Sequence, residues 1–154
     1  MVILSPALKR QFGLSLGEVG LLLASAQGGS ALGALGWGAL TDRIGERLVM
    51  TLGLALSAAA LGVAAATSSY AVVLIALVVS GAAGASVSAA SGRAIMGWFA
   101  PAQRGLALAI RQSAVPLGGF IAALTISGAH PTRGFVLLAT LSGAGAAAAA
   151  ALGP

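Results

Sequence analysis

Long apolar intervals separated by short charged segments form the main pattern of this chain. Residues 19–41 carry no charge, and the uncharged interval 48–92 is about twice as long. A helix needs about 20 mostly apolar residues to cross a bilayer. The first interval therefore predicts one membrane span. The second predicts two spans, with a break at the polar cluster 67–70.

The second half of the chain predicts two more spans, separated by the turn "GAHPTRG" at 128–134. The leading segment "MVILSPALKRQFGLS" resembles the last turns of a helix followed by a loop, so we expect the chain to begin inside a preceding helix. The predicted fold class is all-α, a polytopic membrane helix bundle with five full transmembrane helices and a remnant of one more. We predict a single domain over 1–154, with spans at roughly 19–41, 48–66, 71–92, 105–127 and 134–152.

Composition supports the membrane assignment. Charged residues make up 7% of the chain, against about 25% in soluble domains, and the mean hydropathy is +1.02. The net charge is +5, but the basic residues are scattered and form no stripe with interleaved aromatics. Nucleic acid is therefore not an expected partner. The expected partner is the lipid bilayer.

The residues that enzymes use are scarce. The sequence contains no cysteine, and its three acids all lie outside the predicted spans. His130 is the sole histidine and stands in a turn beside Pro131, where a solvated loop residue is the simplest interpretation. None of the motifs of hydrolases, metalloproteases or nucleotide-binding proteins occurs. We expect no enzymatic activity, no cofactor and no metal.

The basic residues also indicate topology. Arginines at 43, 47, 93 and 104 lie on one side of the predicted bundle, against three basic residues on the other. This narrow excess places the loop 42–47 in the cytoplasm, since cytoplasmic loops are enriched in Lys and Arg. Lys9 and Arg10, taken alone as an N-terminal flank, favour the reverse orientation. We expect residence in a bacterial inner membrane.

Small residues are frequent inside the spans. Gly29 and Gly33 form a GxxxG pair, which favours close helix packing in lipid. A stripe of small residues follows one face of the third span, and we interpret it as a packing surface. It consists of Ser80, Gly84, Ser88 and Ser91.

The fourth span carries polar residues and a proline. Arg111 lies seven residues after Arg104 and therefore about 10 Å deeper along the helix. A charge inside a span marks a functional site by default, although Arg111 can also extend to the interface or pair with a carbonyl. Pro116 is expected to bend the helix. With Gly118 and Gly119, it forms either a hinge or a static kink.

A charged turn between the first two spans carries a recognisable motif, G-x-L-x-D-R-x-G-x-R. It resembles the signature loop between the second and third helices of major facilitator superfamily transporters. Segments 98–112 and 115–119 are similar to that family's fourth-to-fifth connection and fifth helix. Glu46 departs from the pattern, since the family usually has a basic residue there. The matching positions are Gly38, Leu40, Asp42, Arg43, Gly45 and Arg47.

The resemblance implies two six-helix halves with a substrate site between them. The chain then corresponds to the end of helix 1 through helix 6, and its partner is a missing second half or a second copy. The implied function is secondary transport of a small solute by alternating access. Leu77 stands where proton-coupled members often carry Arg, which argues against drug/proton antiport.

Residue roles follow from the same resemblance. Arg111, Gln112 and Gln27 are the candidates for the substrate cavity, and Arg111 favours an organic anion. Asp42 is expected to gate transport by meeting a helix of the other half, although local chemistry also allows pairing with Arg43 or Arg47, or a helix cap. The alternative is a truncated, non-transporting bundle that acts as an interaction or assembly partner.

Overall fold

The computed structural model of the protein describes residues 4–126 and 130–152, and side chains at 126 and 152 are outside the description. Five of its helices are long and apolar enough to cross a membrane. This confirms the all-α membrane bundle. The helices are α1 (Ser5–Phe12), α2 (Leu16–Ile44), α3 (Glu46–Ala66), α4 (Tyr70–Trp98), α5 (Pro101–Ile126) and α6 (Pro131–Leu152).

Local chemistry explains where the second helix begins and ends. The Ser15 hydroxyl accepts a hydrogen bond from the backbone N–H of Glu18, and the Glu18 carboxylate accepts one from the backbone N–H of Ser15 at 2.8 Å. This capping box satisfies N–H groups that a helix start otherwise leaves unpaired. At the other end Gly45 has φ +82°, a backbone conformation open to glycine. One residue therefore joins α2 to α3.

The long helices pack in the order α2, α4, α3, α6. The α2–α4 contact is backbone against backbone. A Cβ atom at Gly29, Gly33 or Gly81 would collide with main-chain atoms of the facing helix. The GxxxG pair thus packs as predicted, and this contact brings the helix axes close together.

The predicted stripe of small residues on α4 is divided between two neighbours. The Ser80 hydroxyl lies 2.9 Å from that of Ser57 on α3. Ser88 and Ser91 instead contact α5, and a Cβ at Gly84 would meet nothing within 4 Å. Contacts to two different helices therefore replace the single packing surface that we expected.

The two ends of the bundle differ in character. We call the end that carries Asp42, Arg43, Glu46 and Arg47 the charged end. The core lies toward the opposite end, where Phe135 of α6 is fully buried. It packs there within an apolar cluster made by α1, the starts of α2 and α4 and the end of α3. This apolar cluster thus lies at the end of the bundle away from the charged turn.

α5 packs differently from its neighbours. Among its described side chains, 101–125, none is buried, and it makes few contacts, chiefly with α4. Pro116 lies within a continuous helix. α5, which carries five of the predicted functional residues, is therefore the most lightly held of the long helices.

Candidate functional site

The predicted gating motif occupies the end of α2, the one-residue joint and the start of α3. Gly38 and Leu40 are half-buried, whereas Asp42 and Arg43 are exposed at the charged end. Gly45 supplies the left-handed turn that brings α3 back alongside the bundle. The motif therefore combines a sharp turn with charged groups that reach solvent.

Asp42 forms a salt bridge with Arg93, near the end of α4. The side chains of Asp42 and Arg93 are 70% and 47% exposed. The observed partner thus differs from Arg43 and Arg47, the two local partners that the sequence analysis allowed for Asp42. Exposed ion pairs contribute only about 0.2–1 kcal/mol to stability, so this pair is suited to a reversible link between the ends of α2 and α4.

A second link between the same helices lies one turn further into the bundle. The indole Nε1 of Trp37 donates a hydrogen bond to the carbonyl oxygen of Ala82 at 2.7 Å. Thr41 is buried, and its hydroxyl donates to the carbonyl of Trp37 at 2.7 Å. The Trp37 bond holds the end of α2 against α4, and the Thr41 bond lies within α2.

Arg47 connects the motif to α6. Its guanidinium donates a hydrogen bond to the carbonyl oxygen of Ala150, close to the end of that helix. Cations near a helix C-terminus are stabilised by the helix dipole and by the unpaired carbonyls there. The two arginines of the motif therefore differ, since Arg43 points away into solvent while Arg47 lies across α3 and α6.

Arg111 is held by α4. Its Nε donates to the Ser91 hydroxyl at 2.7 Å, and its Nη2 donates to the Ser88 carbonyl at 3.0 Å. The sequence allowed Arg111 either to extend to the interface or to pair with a carbonyl. The bond to the Ser88 carbonyl is a pairing of the second kind. The side chain is half-buried, so part of the guanidinium remains accessible beside α4.

The other two cavity candidates are exposed. Gln112 follows Arg111 on α5, and Gln27 lies on α2 beside the close contact of Ala26 with Gly81. Measured along α4, the level of Gly81 is seven to ten residues from Ser88 and Ser91, or roughly 10–15 Å. Arg111 and Gln112 are therefore neighbours, whereas Gln27 lies at a different depth.

The hinge candidates Pro116, Gly118 and Gly119 lie beyond Arg111 on α5, and all three are exposed. A Cβ at either glycine would meet nothing within 4 Å. Close packing against the described helices is thus not what requires glycine here. Pro116 removes one backbone hydrogen bond from α5, which favours bending at this point. The hinge stays a prediction.

Three residues of this region were missed as functional positions by sequence reasoning. Arg93 was used only to assign topology, although it is the partner of Asp42. Ser88 and Ser91 were assigned to packing, although they hold Arg111. The hydroxyl groups on the α4 stripe were a sequence signal that Ser88 and Ser91 could bind a polar side chain of another helix. No spacing rule connects Asp42 to a residue 51 positions later.

Comparisons with known proteins agree with this architecture. The sequence model described as Major Facilitator Superfamily matches residues 1–154. Two curated relatives from two strains of Mycobacterium tuberculosis, each named an uncharacterized MFS-type transporter, are both 42% identical over 123 residues. No solved structure matches.

The extent of these matches is unequal. The matches to the two curated relatives cover 80% of this chain but 28% of each relative. The chain therefore spans less than a third of the length of the curated relatives that it matches.

Proposed function

Because this chain belongs to the major facilitator superfamily, we propose that it is the N-terminal half of a secondary transporter for a small solute. It works by alternating access together with a second six-helix half that lies outside this chain. Its five membrane-crossing helices make it an integral membrane protein. The small share of each relative that it covers supports the need for a second half.

One observation carries the proposal, namely the position of Arg111. A cation inside a span is expensive unless it faces a cavity or a partner, and Arg111 reaches Ser88 and Ser91 while staying half-buried. Arginine binds carboxylates and phosphates in a bidentate geometry. The proposed substrate is therefore an organic anion, with Arg111 as its principal contact.

Gln112 and Gln27 complete the proposed cavity. Their amide groups can both donate and accept hydrogen bonds, which suits the polar parts of a solute beside its anionic group. Because Gln27 lies at a different depth from Arg111, the two residues fit opposite ends of an extended molecule. Gln112 fits the group next to the anion.

The gating motif is proposed to act through Asp42. Its exposed bridge to Arg93 can exchange for contacts with a helix of the second half. Pro116, Gly118 and Gly119 are the proposed hinge, because they lie on the most lightly packed helix. A weak ion pair and a lightly held helix both suit parts that change position during transport.

The test is uptake by liposomes that contain the complete transporter, that is, this chain together with its second half. Labelled carboxylates, organic phosphates, amines and neutral sugars form the solute panel. Arg111→Ala is expected to lower anion uptake by about 10- to 100-fold, because charged hydrogen bonds are worth about 1.5–3 kcal/mol. Arg104→Ala is the matched control on the same helix, since within the described residues Arg104 bonds to the nearby Phe99 carbonyl at 3.1 Å. Normal uptake by Arg111→Ala would remove the cavity assignment.

The proposed orientation places the loop 42–47 in the cytoplasm of a bacterial cell, with the protein in the inner membrane. The chain has no cysteine, so single cysteines can report accessibility without background. Ser68→Cys and Ala102→Cys are exposed positions at opposite ends of the bundle. In intact cells whose outer membrane has been permeabilised, an inner-membrane-impermeant thiol reagent is expected to label position 68 only. Labelling of position 102 alone would reverse the orientation.

A further inference from the structure

The guanidinium of Arg111 is held along one of its edges. Its Nε donates to the Ser91 hydroxyl, and its Nη2 donates to the Ser88 carbonyl. In a planar guanidinium, the N–H of Nε and one N–H of Nη2 form an edge that can bind a carboxylate in a bidentate manner. Because α4 occupies this Nε–Nη2 edge, an anion that used it would have to displace α4.

The hydroxyl of Ser91 is fixed as an acceptor. A serine hydroxyl has one proton to donate, and Ser91 donates it to the carbonyl oxygen of Val87, one turn earlier on α4. Its lone pairs then accept from the Nε–H of Arg111. Ser91 therefore has no donor left for an anion. What it determines is the direction in which the guanidinium of Arg111 points.

A second edge of the same guanidinium remains for a ligand. Nη1 and the other N–H of Nη2 form the end of the guanidinium plane, and within residues 4–126 and 130–152 no acceptor bonds Nη1. Arg111 is half-buried, whereas residues 112–121, which follow it on α5, are exposed. Space for a ligand is thus available beside Arg111, and the Nη1–Nη2 edge can bind it end-on.

The charge of Arg111 matches a single negative charge. Both of its partners on α4 are neutral. The acids of the chain lie elsewhere, since Asp42 pairs with Arg93, Glu18 caps the start of α2 and Glu46 begins α3. A carboxylate carries one negative charge, whereas a phosphate monoester carries about 1.5–2 at pH 7. A monocarboxylate is therefore the better match for this part of the site.

We propose that Ser91 is a positioning residue of the anion site. Together with the Ser88 carbonyl, it holds the Nε–Nη2 edge of Arg111 so that the Nη1–Nη2 edge binds a monocarboxylate end-on. This inference rests on the proposed transport function, and it adds the substrate class and the residue that orients the principal contact. Because the two edges are separate, α5 stays attached to α4 when the anion binds.

The experiment measures saturable uptake by liposomes that contain the complete transporter, with leakage into protein-free liposomes subtracted. Three pairs of labelled anions are compared, each a monocarboxylate with a phosphate ester. They are lactate with glycerol 3-phosphate, gluconate with glucose 6-phosphate, and 4-hydroxybenzoate with phenyl phosphate. At least one monocarboxylate is expected to enter with a KM about tenfold below that of its phosphate partner.

Three serine variants then test the positioning role. Ser91→Ala removes the acceptor of Nε but keeps the charge of Arg111, so the KM of that monocarboxylate should rise about fivefold while Vmax stays within about twofold. Ser91→Thr restores a hydroxyl that can bond the carbonyl one turn earlier, and it should return the KM to within about twofold of the parent. Ser25→Ala is the matched control, because the Ser25 hydroxyl donates within its own helix, to the Leu22 carbonyl at 2.8 Å. It should leave the KM unchanged.

The outcomes separate this inference from the proposed function. Partial misfolding lowers Vmax but not KM, so an unchanged KM in Ser91→Ala would overturn the positioning role even where Arg111→Ala lowers uptake. A KM that stays raised in Ser91→Thr would overturn it as well. Phosphate esters that enter with a KM equal to or below those of all three monocarboxylates would overturn the substrate class. No anion uptake by the parent, or normal uptake by Arg111→Ala, would instead contradict the proposed function.

Discussion

Two neighbours of α4, namely α2 and α5, are held in different ways. Against α2, glycines bring backbone onto backbone, and added Cβ atoms at Gly29, Gly33 or Gly81 would collide. Against α5, within the described part of the chain, two hydrogen bonds come from one side chain, Arg111. The first contact depends on shape and the second on a few polar bonds. Of these two helices, α5 can therefore change position while breaking fewer interactions.

The largest effect is expected where shape decides. Gly29→Val places side-chain atoms against the Val78 carbonyl and should lower the free energy of unfolding in mixed micelles by about 3 kcal/mol, at the upper end of the usual range for overpacking. Gly28→Val is the neighbouring control, because a Cβ there meets nothing within 4 Å, and it should change stability by less than about 0.5 kcal/mol. Similar losses in both variants would mean that α2 and α4 are not closely packed.

A smaller effect is expected where a hydrogen bond supplements that packing. Trp37→Phe keeps an aromatic ring but removes the bond to the Ala82 carbonyl, so unfolding should become about 1 kcal/mol easier. Trp98→Phe serves as the control, since Trp98 is 66% exposed. The measurement is again the free energy of unfolding in mixed micelles. A loss as large as that of Gly29→Val would show that the α2–α4 contact depends on this bond more than on shape.

The α4–α5 contact is tested by a double-mutant cycle on Arg111→Met and Ser91→Ala. The coupling energy is expected to be about 0.6 kcal/mol and to stay below about 1.7 kcal/mol, the range found for polar pairs between membrane helices. Unfolding free energies of the parent, the two single variants and the double variant give this value. Strictly additive losses would show that Ser91 does not hold Arg111 in solution.

The smallest effect is expected for the bridge at the charged end. A cycle on Asp42→Asn and Arg93→Gln should give a coupling near the lower end of the range of about 0.2–1 kcal/mol for exposed pairs, because both side chains are substantially exposed. The coupling should fall when ionic strength rises, since salt screens exposed charges. A value that is unaffected by salt would indicate a desolvated pair and a more permanent link between α2 and α4.

Much of the fold was predictable because charge is so rare in this chain. Intervals with little or no charge located the five long helices, although the helices extend beyond those intervals at several ends. α2 starts earlier than the first interval because the capping box of Ser15 and Glu18 satisfies its first turn. α4 runs on past Arg93 to Trp98, since an arginine beyond the apolar part need not end a helix.

The site was less predictable because its contacts are distant in sequence. The motif identified Asp42 and Arg47, but their partners Arg93 and Ala150 are 51 and 103 residues away. Helical periodicity placed Ser80, Ser88 and Ser91 on one face, yet it could not show that two neighbouring helices divide that face. Such pairings are set by how the helices cross, and one sequence contains no direct record of the crossing.

The single residue between α2 and α3 has a consequence for protein engineering. With only Gly45 outside helical geometry, this joint has no spare length to absorb inserted residues. An epitope tag placed there would rotate Asp42 and Glu46 relative to each other. It would thereby disturb the end of α2 and the start of α3. The polar connection 67–69 at the opposite end is three residues long and joins α3 to α4, which makes it the better place for a reporter.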